Sequence, residues 1–141
     1  MTLKKNVVLE RLAFLKETLV ALKKLQELKK EDFGDFKNRW AAERGLHLAV
    51  EAVLDIGNHI LVSYFNDRPA NYKEIITHLA RQKVLSEKLL KQFDRLSGFR
   101  NVLVHDYLRV DPDIIYDRIQ NRLGDFEEFQ KEIALWLRDY A

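Results

Sequence analysis

Residues 36–65 read FKNRWAAERGLHLAVEAVLDIGNHILVSYF, thirty residues without a proline, and Asn66-Asp67-Arg68-Pro69 follows directly. Trp40, Leu46, Val50, Val53 and Ile60 recur at the three- and four-residue spacing of an amphipathic helix. Ala49, Ala52 and Gly57 lie among them and permit a neighbouring element to approach closely. The spacing predicts a helix over about 36–65, stopped by the Asn-Asp-Arg-Pro turn. A stripe of this length demands partners, so the rest of the chain must supply other helices.

It does so on both sides. Leu12, Leu15, Leu19, Leu22 and Leu25 predict a helix from about residue 4 to 30, ending near Asp32-Phe33-Gly34. Asn71 is a suitable cap for a short helix over 71–80. Ser86, with Glu87 in the first turn, opens another whose stripe is Leu89, Phe93, Leu96 and Leu103. Asp111 caps a last helix with Pro112 at its first position, where the missing N–H is harmless. Ile115, Ile119, Leu123, Phe126, Phe129, Ile133 and Trp136 line it. The expectation is an all-α protein, an antiparallel bundle of four main helices plus a short one, in one domain over residues 1–141.

Composition narrows the function classes. Of 141 residues 47% are hydrophobic and 33% charged, a balance that argues against wholesale disorder. The absence of cysteine excludes disulfides, thiolate metal sites and cysteine nucleophiles, and is compatible with a reducing cytoplasm, where the protein is expected. No membrane segment or signal peptide is expected, since the opening MTLKKNVVLERL soon picks up charge. Net charge is only +2, too little to coat nucleic acid by bulk electrostatics, but its distribution is uneven. Residues 1–30 hold eight Lys/Arg against three Glu, 81–100 hold six against two acids, and 111–132 hold seven acids against three bases. Such segments can attract phosphates locally, although solvated helix faces account for the same pattern.

The stretch 99–107, FRNVLVHDY, sets Arg100, Asn101, His105 and Tyr107 around a Val/Leu helical run. On an ideal helix with Leu96 at zero, Arg100 falls near about 40° and His105 near about 180°. Arg100 therefore points toward the bundle or a partner, where a guanidinium needs a carboxylate or phosphate to offset its desolvation. His105 points away. For both to act on one atom, the helix must loosen around 103–107 or the groups must converge across a dimer. Carboxylates for Arg100 are available on the long helix, where His47, Glu51, Asp55 and His59 form a ridge at four-residue steps. That ridge could in principle share a metal ion. Yet di-metal bundles use Glu-x-x-His pairs on facing helices, and the chain has none, so no metal site is expected and Glu51 or Asp55 is assigned to orienting Arg100. His47, His59 and His78 are expected to be hydrogen-bonded or solvent-facing.

Arg100, Asn101, His105 and Tyr107 resemble the R-x4-H-x-Y signature of HepT-like toxins of the HEPN superfamily. The surrounding LSGFRNVLVHDY, the following VDPDIIYDRI and the block RWAAERGLHLAVEAVLDIGNHI are similar to the family's sequences over most of the chain. The resemblance implies a HEPN-like helical ribonuclease acting as a homodimer, within a larger hetero-oligomer, with two motif copies facing one cleft. It implies an RNA substrate, no cofactor, and an MNT-type nucleotidyltransferase antitoxin that uses ATP to attach AMP to Tyr107. Arg100 and His105 would be catalytic, with Asn101, Tyr107, Glu51 and Asp55 in support. The chemistry is self-consistent: RNA carries its own 2′-OH nucleophile, His105 can exchange protons near neutrality, and Arg100 can stabilise phosphorane charge. Asp106 is assigned a local hydrogen-bonding role. The alternative is a non-catalytic helical module that binds a nucleotidyltransferase or a nucleotide.

Overall fold

Leu15, Leu19 and Leu22 bury one side of α1 (Lys5–Leu25) along the length of α2 (Phe36–Phe65). The computed structural model describes residues 3–105, 108 and 110–140. After α2 come α3 (Tyr72–Arg81), α4 (Glu87–Gln92), α5 (Leu96–His105), α6 (Pro112–Asn121) and α7 (Leu123–Tyr140), with a short 3₁₀ turn at Lys30–Gly34. The protein is all-α, and one hydrophobic cluster draws residues from all seven helices among the described residues. α2 is its axis, in contact with α1, α3, α5, α6 and α7. By length and composition alone α2 could cross a membrane, yet half of its apolar window is buried among these neighbours, as a core helix requires.

Asn71, Ser86 and Asp111 cap their helices as expected, and Asp35 adds a cap that the sequence reading did not name. Asp35 accepts from the Lys37 N–H at 2.9 Å, Asn71 from Glu74 at 3.0 Å, Ser86 from Leu89 at 3.1 Å and Asp111 from Asp113 at 2.9 Å. Each satisfies an amide that the first helical turn leaves without a partner. α2 stops where Asn66 adopts the left-handed conformation, φ 52°, and both its N–H and that of Asp67 return to the Leu61 carbonyl.

Three expected helices differ in their bounds, each for a tertiary reason. The first ends at Leu25 rather than near 30, because Gln26 is tied to the end of α6: its side chain donates to the Ile119 carbonyl, and Gln120 donates back to the Gln26 carbonyl, each at 2.9 Å. The chain then turns so that Phe33 enters the core edge-on to Tyr116, ring centroids 5.6 Å apart. The helix expected from Ser86 onward is two helices with a turn at 93–95, because its halves serve different partners. α4 packs on α3 and α7, with Phe93 against Phe126 and Phe129, whereas α5 packs on α2 and α3. The last helix is likewise broken at Arg122 into α6 and α7. Trp40, expected in the buried stripe of α2, is 60% exposed and rests on Phe36. It lies about 120° around an ideal helix from Leu46, outside the arc that α1 and α3 cover.

Gly57 permits the close approach expected of it. A Cβ there would stand 2.7 Å from Ile75 and 2.8 Å from Leu79, both buried on α3. Alanine improves helix propensity by about 1 kcal/mol but overpacks this contact by about 1–3 kcal/mol, and neither neighbour has a free direction to move. Gly57→Ala is expected to lower stability by up to about 2 kcal/mol in urea unfolding; a raised midpoint would mean that α3 is not held this tightly.

Candidate functional site

Leu96 and Phe99 anchor α5 in the core, and this places the next side chain, Arg100, at the edge of the buried face. Only 14% of the Arg100 side chain is exposed. Its Nε–H donates to Glu51 Oε1 at 2.6 Å, and its guanidinium lies over the Tyr72 ring, 4.2 Å from the centroid. Three helices thus hold one cation: α5 carries it, α2 neutralises it and the first residue of α3 supports its face. Cation–π support is strongest where water is scarce, as it is here. With Nε engaged, the Nη1/Nη2 end of the fork makes no further hydrogen bond among the described residues.

Glu51 is itself positioned. His47, one turn earlier on α2, has Nε2 3.6 Å from the same Oε1, while its Nδ1 stands 3.0 Å from Arg44 Nη1. A guanidinium only donates, so Nδ1 accepts and the His47 proton resides on Nε2, facing Glu51. Asp55, the other expected partner of Arg100, is paired with Arg11 of α1 instead. That pair is open to solvent, with side-chain exposures of 40% and 57%. Between α1, α2 and the start of α3 a cleft of about 800 Å³ passes Arg11, Phe14, Glu51, Asp55 and Tyr72.

The ridge of His47, Glu51, Asp55 and His59 is therefore divided among separate contacts. Among the described residues no group of three or more His, Asp and Glu side chains could share a metal ion. His78 is hydrogen-bonded as expected, its Nδ1 reaching the Asp67 carboxylate at 2.9 Å. His59 departs from expectation: its Nε2 is enclosed and has no partner among the described residues.

α5 remains helical through His105, which is exposed, as is Asn101. No loosening occurs up to that residue, so Arg100 and His105 diverge within one chain, one inward and one outward. Tyr107 and Asp106 lie outside the described residues. Tyr72 and the Arg11 partner of Asp55 escaped the sequence reading, because nothing local announces a contact between residues 28 or 44 positions apart in the chain.

The family model for ribonuclease HepT-like proteins matches residues 12–133, a span that includes Glu51, Arg100, Asn101, His105 and Tyr107. The chain is 30% identical over 133 residues to the tRNA nuclease HepT of Aphanizomenon flos-aquae, covering 93% of this chain and 90% of that one. It is 26% identical over 124 residues to the mRNA nuclease HepT of Shewanella oneidensis, covering 88% and 93%. Among solved structures it resembles the tri-AMPylated HEPN toxin of Shewanella oneidensis in complex with MNT antitoxin, with a TM-score of 0.84, 26% identity, and coverage of 94% and 99%. It also resembles YutE of Bacillus subtilis, described as a cytosolic protein of unknown function, with a TM-score of 0.83, 26% identity, and coverage of 98% and 94%.

Glu51 and Asp55, the two candidate partners of Arg100 on α2, should separate on mutation. Removing Glu51 leaves a nearly buried cation without its counter-charge, whereas removing Asp55 breaks an exposed pair. Glu51→Ala is expected to cost about 1–3 kcal/mol in urea unfolding, and Asp55→Ala less than about 1 kcal/mol. The reverse order would contradict the assignment of Glu51 to Arg100.

Proposed function

The chain belongs to the ribonuclease HepT-like family, and from that premise we propose that it is the toxin of a toxin–antitoxin pair. In this reading it is a single helical domain, acting in the cytoplasm as a metal-independent endoribonuclease. A nucleotidyltransferase antitoxin silences it by attaching AMP to Tyr107. The observation that carries the reading is the held guanidinium of Arg100, five residues before an exposed histidine, inside the span the family model matches.

Each group has a chemical task. The ribose 2′-oxygen attacks the adjacent phosphorus, the 5′-oxygen leaves, and a 2′,3′-cyclic phosphate remains on one fragment. His105 removes or supplies the protons that these two oxygens exchange. Arg100 presents its Nη1/Nη2 fork to the phosphorane oxygens as charge builds on them. Because Glu51 and Tyr72 fix the fork before substrate arrives, little reorganisation is needed at the moment of reaction. Asn101, exposed beside Arg100, orients a phosphate or the histidine.

A homodimer resolves the divergence of Arg100 and His105. Two α5 helices facing each other across a two-fold axis bring the arginine of one protomer toward the histidine of the other. The two histidines then divide the acid and base roles. Silencing follows from charge and bulk. The Tyr107 oxygen attacks the α-phosphorus of ATP and pyrophosphate leaves, so the AMP installed carries negative charge into the place where RNA phosphates must sit. The HEPN toxin of Shewanella oneidensis, with AMP attached and antitoxin bound, supports this part of the proposal.

Two measurements test the reading. Purified, unmodified protein incubated with total RNA and EDTA should cut it to fragments ending in 2′,3′-cyclic phosphate, and Arg100→Ala or His105→Ala should slow cutting about 10²–10³-fold. A wild type that cuts nothing would leave the non-catalytic binding module in its place. Co-expression with the antitoxin should add mass in steps of about 329 Da on Tyr107, and modification of a different residue would overturn the silencing mechanism.

A further inference from the structure

One face of α5 is not used by the arginine. With Leu96 at zero on an ideal helix, Gly98, Val102 and His105 fall at about 200°, 240° and 180°, opposite Arg100. Between this face and α6 lies a groove of about 570 Å³. Its cations are Arg95 in the turn before α5, Arg118 on α6 and Lys73 on α3; its carboxylates are Asp94 and Asp111. One of the latter is already engaged, since Asp111 caps α6 through the Asp113 N–H at 2.9 Å.

Arg118 is the unusual member. Its guanidinium lies on the Phe99 ring, 4.8 Å from the centroid, and among the described residues it makes no salt bridge. Burial pulls its pKa down, Arg122 and Arg95 push the same way, and Asp117 and Asp125 oppose them. Two carboxylates offset the two neighbouring cations, so burial is what leaves this guanidinium under-solvated, and a hydrogen-bonding anion would compensate for it. The groove floor is also bare. Gly98 sits inside a helix, where glycine is about 1 kcal/mol worse than alanine, yet a Cβ there would meet nothing within 4 Å. No neighbour in the chain requires the glycine. It leaves the helix surface open to whatever enters the groove, and Ile114, 49% exposed, adds an apolar wall.

We propose that the α5–α6 groove is a subsite for the RNA strand, in which Arg118, with Arg95 and Lys73, binds a phosphodiester next to the one that is cut. The inference rests on the ribonuclease reading and adds to it the path of the strand. From Gly98 to His105 is seven residues, about 10 Å along the helix, a span that a strand can cover with the phosphate at Arg118 next to the scissile one. One face of the Arg118 guanidinium is taken by Phe99, and in this proposal the other stacks an unpaired base, as arginine planes do in single-stranded RNA recognition. The sugar lies against Gly98 and Ile114.

The test uses a short single-stranded RNA and the full chain carrying His105→Ala, which permits binding to be measured without cutting. Fluorescence anisotropy across a salt series should show that Arg118→Gln weakens binding about tenfold and lowers the slope of log K against log salt by about 0.7, the loss of one phosphate contact. Gly98→Gln should weaken binding by a similar factor while leaving the unfolding midpoint unreduced, because it fills the groove and strains nothing. Folded variants that bind with the parent's affinity and slope would overturn the subsite, as would variants that keep RNA binding and lose only capture of the antitoxin. The two failures are separable: wild-type protein that cuts RNA alongside indifferent Arg118→Gln and Gly98→Gln variants removes the subsite alone, whereas wild type that neither binds nor cuts removes the ribonuclease reading with it.

Discussion

α2 is in contact with five other helices, and this crowding governs where polar chemistry can sit on it. Ala42, Leu46, Ala49, Val50, Val53, Ile56 and Ile60 are almost wholly buried, so a charged side chain on α2 survives only at the rim of the packed arc or opposite a fixed partner. Glu51 does both. It stands 38% exposed at the rim and faces Arg100, which α5 brings to the same edge. The core and the candidate site are therefore one construction: the packing of α5 on α2 that buries Leu96 and Phe99 also sets the distance between guanidinium and carboxylate.

The Arg100 assembly shows how a helical bundle can pair a cation with a carboxylate through Nε alone. A side-on pair would occupy Nε and one Nη together. Here Glu51 engages Nε, Tyr72 covers one face of the guanidinium, and the terminal fork makes no further hydrogen bond among the described residues. His47 and Arg44 extend the support on the carboxylate side, and the His47 tautomer is set by Arg44. Rigid support of this kind is what electrostatic catalysis requires, since donors that must turn toward the charge lose much of their effect. His105 sits differently, at the exposed end of α5, where the imidazole is open to solvent.

Much of this was legible before any tertiary information. The caps Asn71, Ser86 and Asp111 act locally, within three residues, and the starts of α3, α4 and α6 follow from them. The inward bearing of Arg100 and the outward bearing of His105 follow from helical period alone. Helix ends were less legible, because they depend on distant groups. α1 stops at Leu25 because Gln26 exchanges hydrogen bonds with α6, more than ninety positions away. The turn between α4 and α5 exists because Phe93 is claimed by α7 while Leu96 and Phe99 are claimed by the bundle axis.

The candidate site divides along the same line. The chemical types and their register are local properties, and R-x4-H-x-Y within a helical frame was enough to name the arginine, the histidine and a short choice of carboxylates. Which carboxylate serves was not a local property, since Glu51 and Asp55 lie one turn apart on the same ridge and satisfy the same pattern. Only packing distinguished them: α1 brings Arg11 to Asp55, α5 brings Arg100 to Glu51, and α3 brings Tyr72 across the guanidinium. The sequence by itself determined an all-α chain and the bearing of its candidate site residues, because helical period and capping act over a few residues. Tertiary structure alone decided which charges meet, because an ion pair depends on the distance between helices, and that distance is set by the side chains of every helix packed around α2.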